Sequence, residues 1–509
     1  MDLELSDASL RLDELAAVFA GEPVRLVVGA AVRRRIAAGR RVVEQVLRSG
    51  ETVYGVNTGF GKLARERISE DELGQLQVNL LRSHACGVGE PLPTATVRAI
   101  MLLRVATLST GRSGVRVELV DKLAELLSAD VIPVVPAQGS VGASGDLAPL
   151  AHLALALIGE GECELRGRRM ASARALARAR IAPLRLAPKE GISLINGTQV
   201  TTALCCEALL RGENLARHAD LACALTIEAL KGTNKAFDRR IHDARPHPGQ
   251  RVSAANLHAL LRGSAILRSH RDCDRVQDPY SMRCAPQVHG ACRDALAEAR
   301  RVLQIEINSA TDNPLVFAEQ GEILSGGNFH AQPIAAAADH LAAALADLSS
   351  ISERRVEQMV NPDLSGLPAF LTPRPGLCSG FMIAQVVAAA LVSESKTLSF
   401  PASVDSIPTS ANKEDHVSMG PIAARKALQV VANAERVVAI ELLAAAQALD
   451  FETSLETTVA LRALHRAVRR TSRRLTDDRP LGGDIEAVAR RLRAGELLAA
   501  AAAAGARIR

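Results

Sequence analysis

From about residue 200 onward, apolar residues fall into long stretches of helical spacing. Ile334, Ala338, Leu341, Leu345 and Leu348 step by four and three, which predicts one face of a long helix packed in a bundle. Val430, Val431, Ala434, Val437, Val438 and Leu442 form a second, broader stripe in a run opened by Pro421, a residue suited to the first turn of a helix. Before residue 200 the periodic segments are shorter and are broken by Gly and Pro. The pattern predicts a mainly α fold with a mixed N-terminal domain over 1–200 and a long helical bundle domain over 201–509. Such broad apolar faces also predict burial between subunits. The Ala-rich stretch from Leu497 to Arg509 is expected to fray.

Composition agrees with helices and removes several function classes. The 509 residues are 48% hydrophobic but only 2% aromatic, so the apolar content is mostly Ala, Leu and Val. A net charge of +5 is the small difference between 61 basic and 56 acidic residues. Arginine clusters such as Arg33-Arg34-Arg35 and Arg469-Arg470 read as solvated helix faces, because no aromatic residues interleave them for base stacking. No nucleic acid partner is expected. Nine scattered cysteines without a C-x-x-C read as reduced thiols, and the opening from Met1 to Asp7 is acidic without an apolar signal core. Both favour a cytoplasmic protein. The uncharged stretch from Phe381 to Val392 is too short to span a bilayer, so no membrane association is expected. No His, Cys or Asp cluster has metal-ligand spacing, and no metal is expected.

The candidate chemistry lies in the run Gly139 to Leu150, around Ala143-Ser144-Gly145. Three small residues in this order are able to make an electrophile from backbone alone. The Gly145 nitrogen attacks the Ala143 carbonyl carbon to close a five-membered ring, and loss of water converts Ser144 into an exocyclic methylidene. Glycine permits the close approach, serine carries the hydroxyl that leaves, and alanine keeps the ring unhindered.

Other segments accompany this one. The chain has two tyrosines. Tyr54 lies in the glycine-rich stretch Val53 to Gly61, and Tyr280 lies in Gln277-Asp278-Pro279-Tyr280-Ser281-Met282-Arg283. The first stretch approaches a phosphate-binding loop but fails, because the glycine spacing before Gly61-Lys62 is wrong and Leu63 replaces the magnesium-binding hydroxyl. Ser83-His84-Ala85, Leu194 to Gln199, Gly326 to His330 and Asn412 to Met419 complete the set.

Taken in order over roughly residues 45 to 480, these segments resemble the aromatic amino acid lyases, the methylidene-imidazolone family. One departure is Lys413, where a glutamine is usual. The resemblance implies a prosthetic group, 4-methylidene-imidazol-5-one, carried by the N-terminal domain and formed from Ala143, Ser144 and Gly145, with no external cofactor. It implies non-oxidative elimination of ammonia from an amino acid by a homotetramer whose active sites draw residues from more than one subunit. Tyr54 would be the base or proton shuttle, and Tyr280 and Asn196 would stabilise charge on the prosthetic ring. Arg283 would clamp the substrate carboxylate, with Gln277 as a secondary polar contact and Phe329 as a wall. His84 and Glu414 are both expected at the substrate side-chain end. A carboxylate there suits an imidazole N–H, so L-histidine is the expected substrate; for His84 alone a structural histidine is the default. Three alternatives remain: an aminomutase with the same group, a non-catalytic helical scaffold, and a fumarase-like lyase whose signature loop is not found.

Overall fold

The computed structural model describes residues 1–509 apart from Asp7, Ala8, Phe60, Ala64, Asp272, Asp274, Arg275 and the side chain of Lys62. Phe60 and the Lys62 side chain belong to the glycine-rich region singled out above and lie outside the described residues. Twenty-one α-helices stand against nine strands of three or four residues among the described residues, so the fold is mainly α.

Two compact units are each assembled from three segments. The first comprises Met1–Glu207, Arg300–Asp339 and Pro401–Arg425; the second comprises Ala208–Ala299, His340–Phe400 and Lys426–Arg509. The division falls inside four long helices, Gln199–Ala229, Ala285–Glu306, Gln332–Val360 and Gly420–Leu449.

All nine described strands lie in the first unit, in four small sheets. The three-stranded sheet is antiparallel: Glu162–Leu165 pairs with Val131–Pro133 on one side and Arg168–Ala171 on the other. Its hairpin turns on Arg166 and Gly167 at φ 52° and 72°, the left-handed pair a tight two-residue turn needs. Helix Thr94–Ser109 is buried along most of its length, and Leu147–Leu157 is almost wholly buried. These two helices support the loops that carry the candidate chemistry.

The apolar stripes fall where the spacing places them. Ile334, Ala338, Leu341, Leu345 and Leu348 are at most 1% exposed on helix Gln332–Val360, and the stripe from Val430 to Leu442 is fully buried. Each such Leu or Val contributes about 1.5–3 kcal/mol. Both faces are therefore covered within one chain. Apolar side chains left exposed occur in both units, among them Leu63, Val88, Val404 and Ile407 in the first and Leu377, Ile383, Val386 and Phe400 in the second. Helix Gln332–Val360 is long and apolar enough to cross a membrane, yet 61% of that window is buried in the protein, as in a core helix.

The C-terminal stretch does not fray. Helix Glu496–Ala503 buries Leu497 and Ala501 completely and packs on helix Val459–Thr471. Arg509 is then held by paired hydrogen bonds with Asn256 and by the Arg293 guanidinium, which donates to its carbonyl at 2.9 Å. Alanine permits this close helix contact, which low sequence complexity alone conceals.

Candidate active site

Three helices begin beside the Ala143-Ser144-Gly145 tripeptide, and their first turns belong to the first unit. Leu147–Leu157 starts two residues after Gly145. Gln199–Ala229 starts after Asn196-Gly197-Thr198, and Gly420–Leu449 follows the Glu414 segment. Gly145 and Gly197 form a parallel bridge, and the Asp146 N–H donates to the Gly197 carbonyl at 2.7 Å. On the other side the Met419 N–H donates to the Val141 carbonyl and the Ser418 hydroxyl to the Gly142 carbonyl. Helix N-termini carry partial positive charge, so this arrangement favours negative charge developing near the tripeptide.

Two glycines are required for that closeness. A Cβ on Gly145, whose φ is +78°, would lie 2.2 Å from the Gly197 carbonyl oxygen. A Cβ on Gly197, at φ +138°, would lie 2.6 Å from Gln199 Oε1 and 2.9 Å from the Arg104 guanidinium. The backbone here is compressed to a degree that side chains forbid.

Asn196 is 2% exposed, and its position is fixed from below by Arg104, which is fully buried. The Arg104 guanidinium donates to the Asn196 carbonyl at 2.8 Å, to the Ser193 carbonyl at 2.9 Å and to Gln199 Oε1 at 2.7 Å. Burial pulls the guanidinium down to about 10, against the opposing pull of Asp312 and Asp146. The Asn196 amide donates to the Asn313 carbonyl at 2.9 Å, while its Oδ1 is buried with no hydrogen-bond partner. Asp146 accepts from the backbone and the hydroxyl of Thr201, both at 2.8 Å, at the start of helix Gln199–Ala229. Burial pushes its carboxyl up to about 6 despite those bonds.

Glu414 is presented by a tight turn. Thr409 and Glu414 exchange backbone hydrogen bonds, and between them Ser410, Ala411 and Asn412 have φ of 51°, 52° and 64°. Three successive left-handed residues other than glycine store strain of about 1–2 kcal/mol each, held by the pairing at the base of the turn. The carboxylate is shared between two hydroxyls. Thr409 donates to Oε2 at 2.7 Å, and Ser144 donates to Oε1 at 2.9 Å.

These groups line one cavity of about 1170 Å³. Tyr54, His84, Ala143, Ser144, Asn196, Phe329 and Glu414 are all part of its wall, and so is Lys413. His84 Nδ1 lies 2.9 Å from the Leu80 carbonyl. A carbonyl only accepts, so Nδ1 carries the hydrogen and Nε2 is left with a lone pair in the neutral ring. Burial lowers the pKa of this imidazole; the Leu80 carbonyl and the Glu414 charge oppose that only in part. The Tyr54 hydroxyl accepts a long hydrogen bond, 3.4 Å, from the Gly61 N–H.

Gln277, Tyr280 and Arg283 belong to the second unit, whereas the described residues lining this cavity all belong to the first. Tyr280 is 70% exposed, and the Arg283 guanidinium carbon lies 4.5 Å from the centre of its ring. Arg283 Nε is buried without a hydrogen-bond partner. Arg104, Asp146, Gln199 and Thr409 were not singled out by the sequence. Arg104 did leave a signal there: it is the one charged residue in the apolar run from Ala99 to Leu108.

Comparison with known proteins agrees with this architecture. The model of the aromatic amino acid lyase family matches residues 10–470. A histidine ammonia-lyase of Sorangium cellulosum (strain So ce56) is 55% identical over 489 residues, covering 94% of this chain and 95% of that protein. Among solved structures, histidine ammonia-lyase from Trypanosoma cruzi is 43% identical with a TM-score of 0.92, covering 99% of this chain and 96% of that one. Tyrosine aminomutase from Streptomyces globisporus is 40% identical with a TM-score of 0.94, each chain being covered completely. With a family match over most of its length and a relative of this identity, the chain belongs to the aromatic amino acid lyase family.

Proposed function

We propose that the chain works as a histidine ammonia-lyase, eliminating ammonia from L-histidine to give trans-urocanate, the first step of histidine degradation. It is a carbon–nitrogen lyase, as its relatives are. The observation that carries the substrate reading is the pairing of His84 and Glu414 in the wall of one cavity with the tripeptide. An imidazole presents both an N–H and a lone pair. The Glu414 carboxylate accepts from the first, and the neutral His84 ring offers an acceptor at Nε2 with the same preference. The single N–H of an imidazole satisfies one of these acceptors, which a phenyl ring would leave unpaired at about 1–3 kcal/mol.

The residues fit the prosthetic group 4-methylidene-imidazol-5-one. Support comes from the contact that only glycine allows between Gly145 and Gly197, and from the unpaired, buried Asn196 Oδ1. Once formed, the group supplies an electrophilic carbon for capture of the substrate. Ala143, Ser144 and Gly145 would be its source, Asn196 would hold it, and the three helix N-termini would favour negative charge beside it. Tyr54 would move the β-proton of the substrate, and Phe329 would bound the ring. Gln277, Tyr280 and Arg283 would be brought to the cavity by another copy of the chain in a homotetramer, where Arg283 would take the substrate carboxylate. The exposed Tyr280, Leu377, Ile383, Val386 and Phe400 support such an assembly. The unpaired state of all nine cysteines supports a cytoplasmic location.

The test is product analysis. Purified protein is given L-histidine, L-phenylalanine or L-tyrosine separately, and arylacrylates, ammonia and β-amino acids are quantified. Urocanate and ammonia in equal amounts from histidine are expected. A β-amino acid as the main product would make the chain an aminomutase, and cinnamate or coumarate without urocanate would overturn the substrate reading.

A further inference from the structure

Hydroxide is a poor leaving group, and Ser144 has to lose one for the prosthetic group to form. Its Oγ donates to Glu414 Oε1 at 2.9 Å, while the other carboxylate oxygen is occupied by the Thr409 hydroxyl at 2.7 Å. Thr409 is itself locked to Glu414 through the backbone in both directions. One oxygen of one carboxyl group is thereby held against the atom that must depart, and it cannot turn away without breaking its second hydrogen bond.

We propose that Glu414 is the general acid of maturation, delivering a proton to Ser144 Oγ as the hydroxyl leaves, and that Thr409 is the residue that positions it. This inference rests on the reading of Ala143-Ser144-Gly145 as the precursor. Two waters are lost in all. Ring closure forms the bond from Gly145 N to the Ala143 carbonyl carbon, and the carbonyl oxygen leaves with the hydrogens of the Gly145 and Ser144 nitrogens. In the second loss the Ser144 Cα–H bond breaks, its electron pair forms the Cα=Cβ bond, and the Cβ–Oγ bond breaks. Oγ takes its proton from the Glu414 carboxyl and departs as water. The Cα proton passes to solvent, and the carboxylate recovers a proton from solvent, so nothing but water is lost. The same 2.9 Å line serves both protonation states: the carboxylate accepts the hydroxyl hydrogen, and the carboxylic acid returns one. A role for Glu414 in turnover is separate, because maturation precedes any substrate.

Intact mass separates the two. Full-length wild type and Glu414→Gln are made by cell-free translation, quenched in acid at intervals and weighed, and circular dichroism checks that the variant folds. Glutamine keeps the size of the side chain and one acceptor oxygen, but its amide has no acidic proton to give. Wild type is expected to become lighter by two waters. Glu414→Gln is expected to stop one water short, or to lose the second about 10²–10⁴-fold more slowly, the usual scale of general acid catalysis. Thr409→Val keeps Glu414 and should slow the second loss about tenfold without blocking it, and it carries the test if Glu414→Gln does not fold. Loss of both waters at the wild-type rate in the folded variant, or in Thr409→Val where that variant carries the test, would overturn the inference alone. Wild type that keeps its full mass would overturn the prosthetic-group reading and this inference with it.

Discussion

Replacing Arg104 with methionine tests whether the candidate site depends on a residue that never touches the cavity. The guanidinium is fully buried and supplies hydrogen bonds to three acceptors: the carbonyls of Ser193 and Asn196, and Gln199 Oε1. Methionine fills much of the volume but donates nothing. Three buried acceptors without donors cost about 1–3 kcal/mol each, or about 3–9 kcal/mol together. Against this stands the strain of keeping a cation there. A guanidinium pulled from 12.5 to about 10 by burial is penalised by about 3 kcal/mol, which the variant no longer bears. The net loss is therefore about 0–6 kcal/mol, centred on about 3 kcal/mol, and concentrated in the loop that carries Asn196 and Gly197. Loosening that loop should lower kcat about 10–100-fold with a smaller change in KM, since sub-ångström placement governs the chemistry. Arg104→Lys should fall between, because a point charge on a flexible stem cannot serve all three acceptors. The assay is steady-state urocanate formation with urea unfolding in parallel. If Arg104→Met keeps kcat within about threefold of wild type and an unchanged urea midpoint, the carbonyl tether does not set the site.

Ser144→Ala should fold normally and lack the methylidene, its near-ultraviolet absorbance and nearly all turnover; more than a few per cent residual activity would rule out a self-made electrophile. Tyr54→Phe should lower kcat about 10²–10⁴-fold with KM little changed, and a kcat within about threefold of wild type would make Tyr54 a wall residue. His84→Leu should cost histidine about 10–100-fold in kcat/KM while sparing phenylalanine, and an unchanged ratio of the two substrates would show that His84 does not read the side chain. His218 is buried, and burial pulls its imidazole down to about 4, with the Asn214 carbonyl opposing. The unfolded chain binds a proton below about pH 6.5 that the folded chain refuses, so this term is fully favourable above that pH and is lost as pH falls toward about 4, by about 3 kcal/mol. Urea midpoints at about pH 7 and pH 4 should therefore differ less in His218→Met than in wild type; equal slopes would refute it.

The legible part of the site was the part written in short segments. Tyr54, His84, Asn196, Phe329 and Glu414 stand far apart in the chain, yet each lies in a motif, and the structure gathers them with the tripeptide around one cavity. What could not be read are the residues whose meaning is a tertiary partner. Thr409 is an ordinary threonine until the turn over Ser410, Ala411 and Asn412 closes it onto Glu414. Asp146 looks like a helix cap but reaches the start of a different helix through Thr201. Helical spacing placed the buried stripes correctly, because periodicity reports which face is apolar. It does not report what covers that face, and so the stripes at Ile334 and Val430, expected to meet another subunit, are covered by their own chain. Low complexity misled at the C-terminus for a similar reason: alanine carries no pattern, although Leu497 and Ala501 are spaced to bury one face.

The partners of the tripeptide are late arrivals. A ribosome that has just placed Ser144 must add another 270 residues before Glu414 exists, and Ser418 and Met419, which grip Gly142 and Val141, come later still. At about 5–20 residues per second that interval is roughly 15–55 seconds. Throughout it, Ser144 is an ordinary alcohol on an open chain, within reach of thiols and amines that would destroy an electrophile as fast as it arose. Some of those thiols are the chain's own, Cys86 and Cys273 being exposed even after folding. On the proposed maturation, the order of synthesis would act as a safety catch: the reactive carbon would be armed only once the walls that protect it had been built.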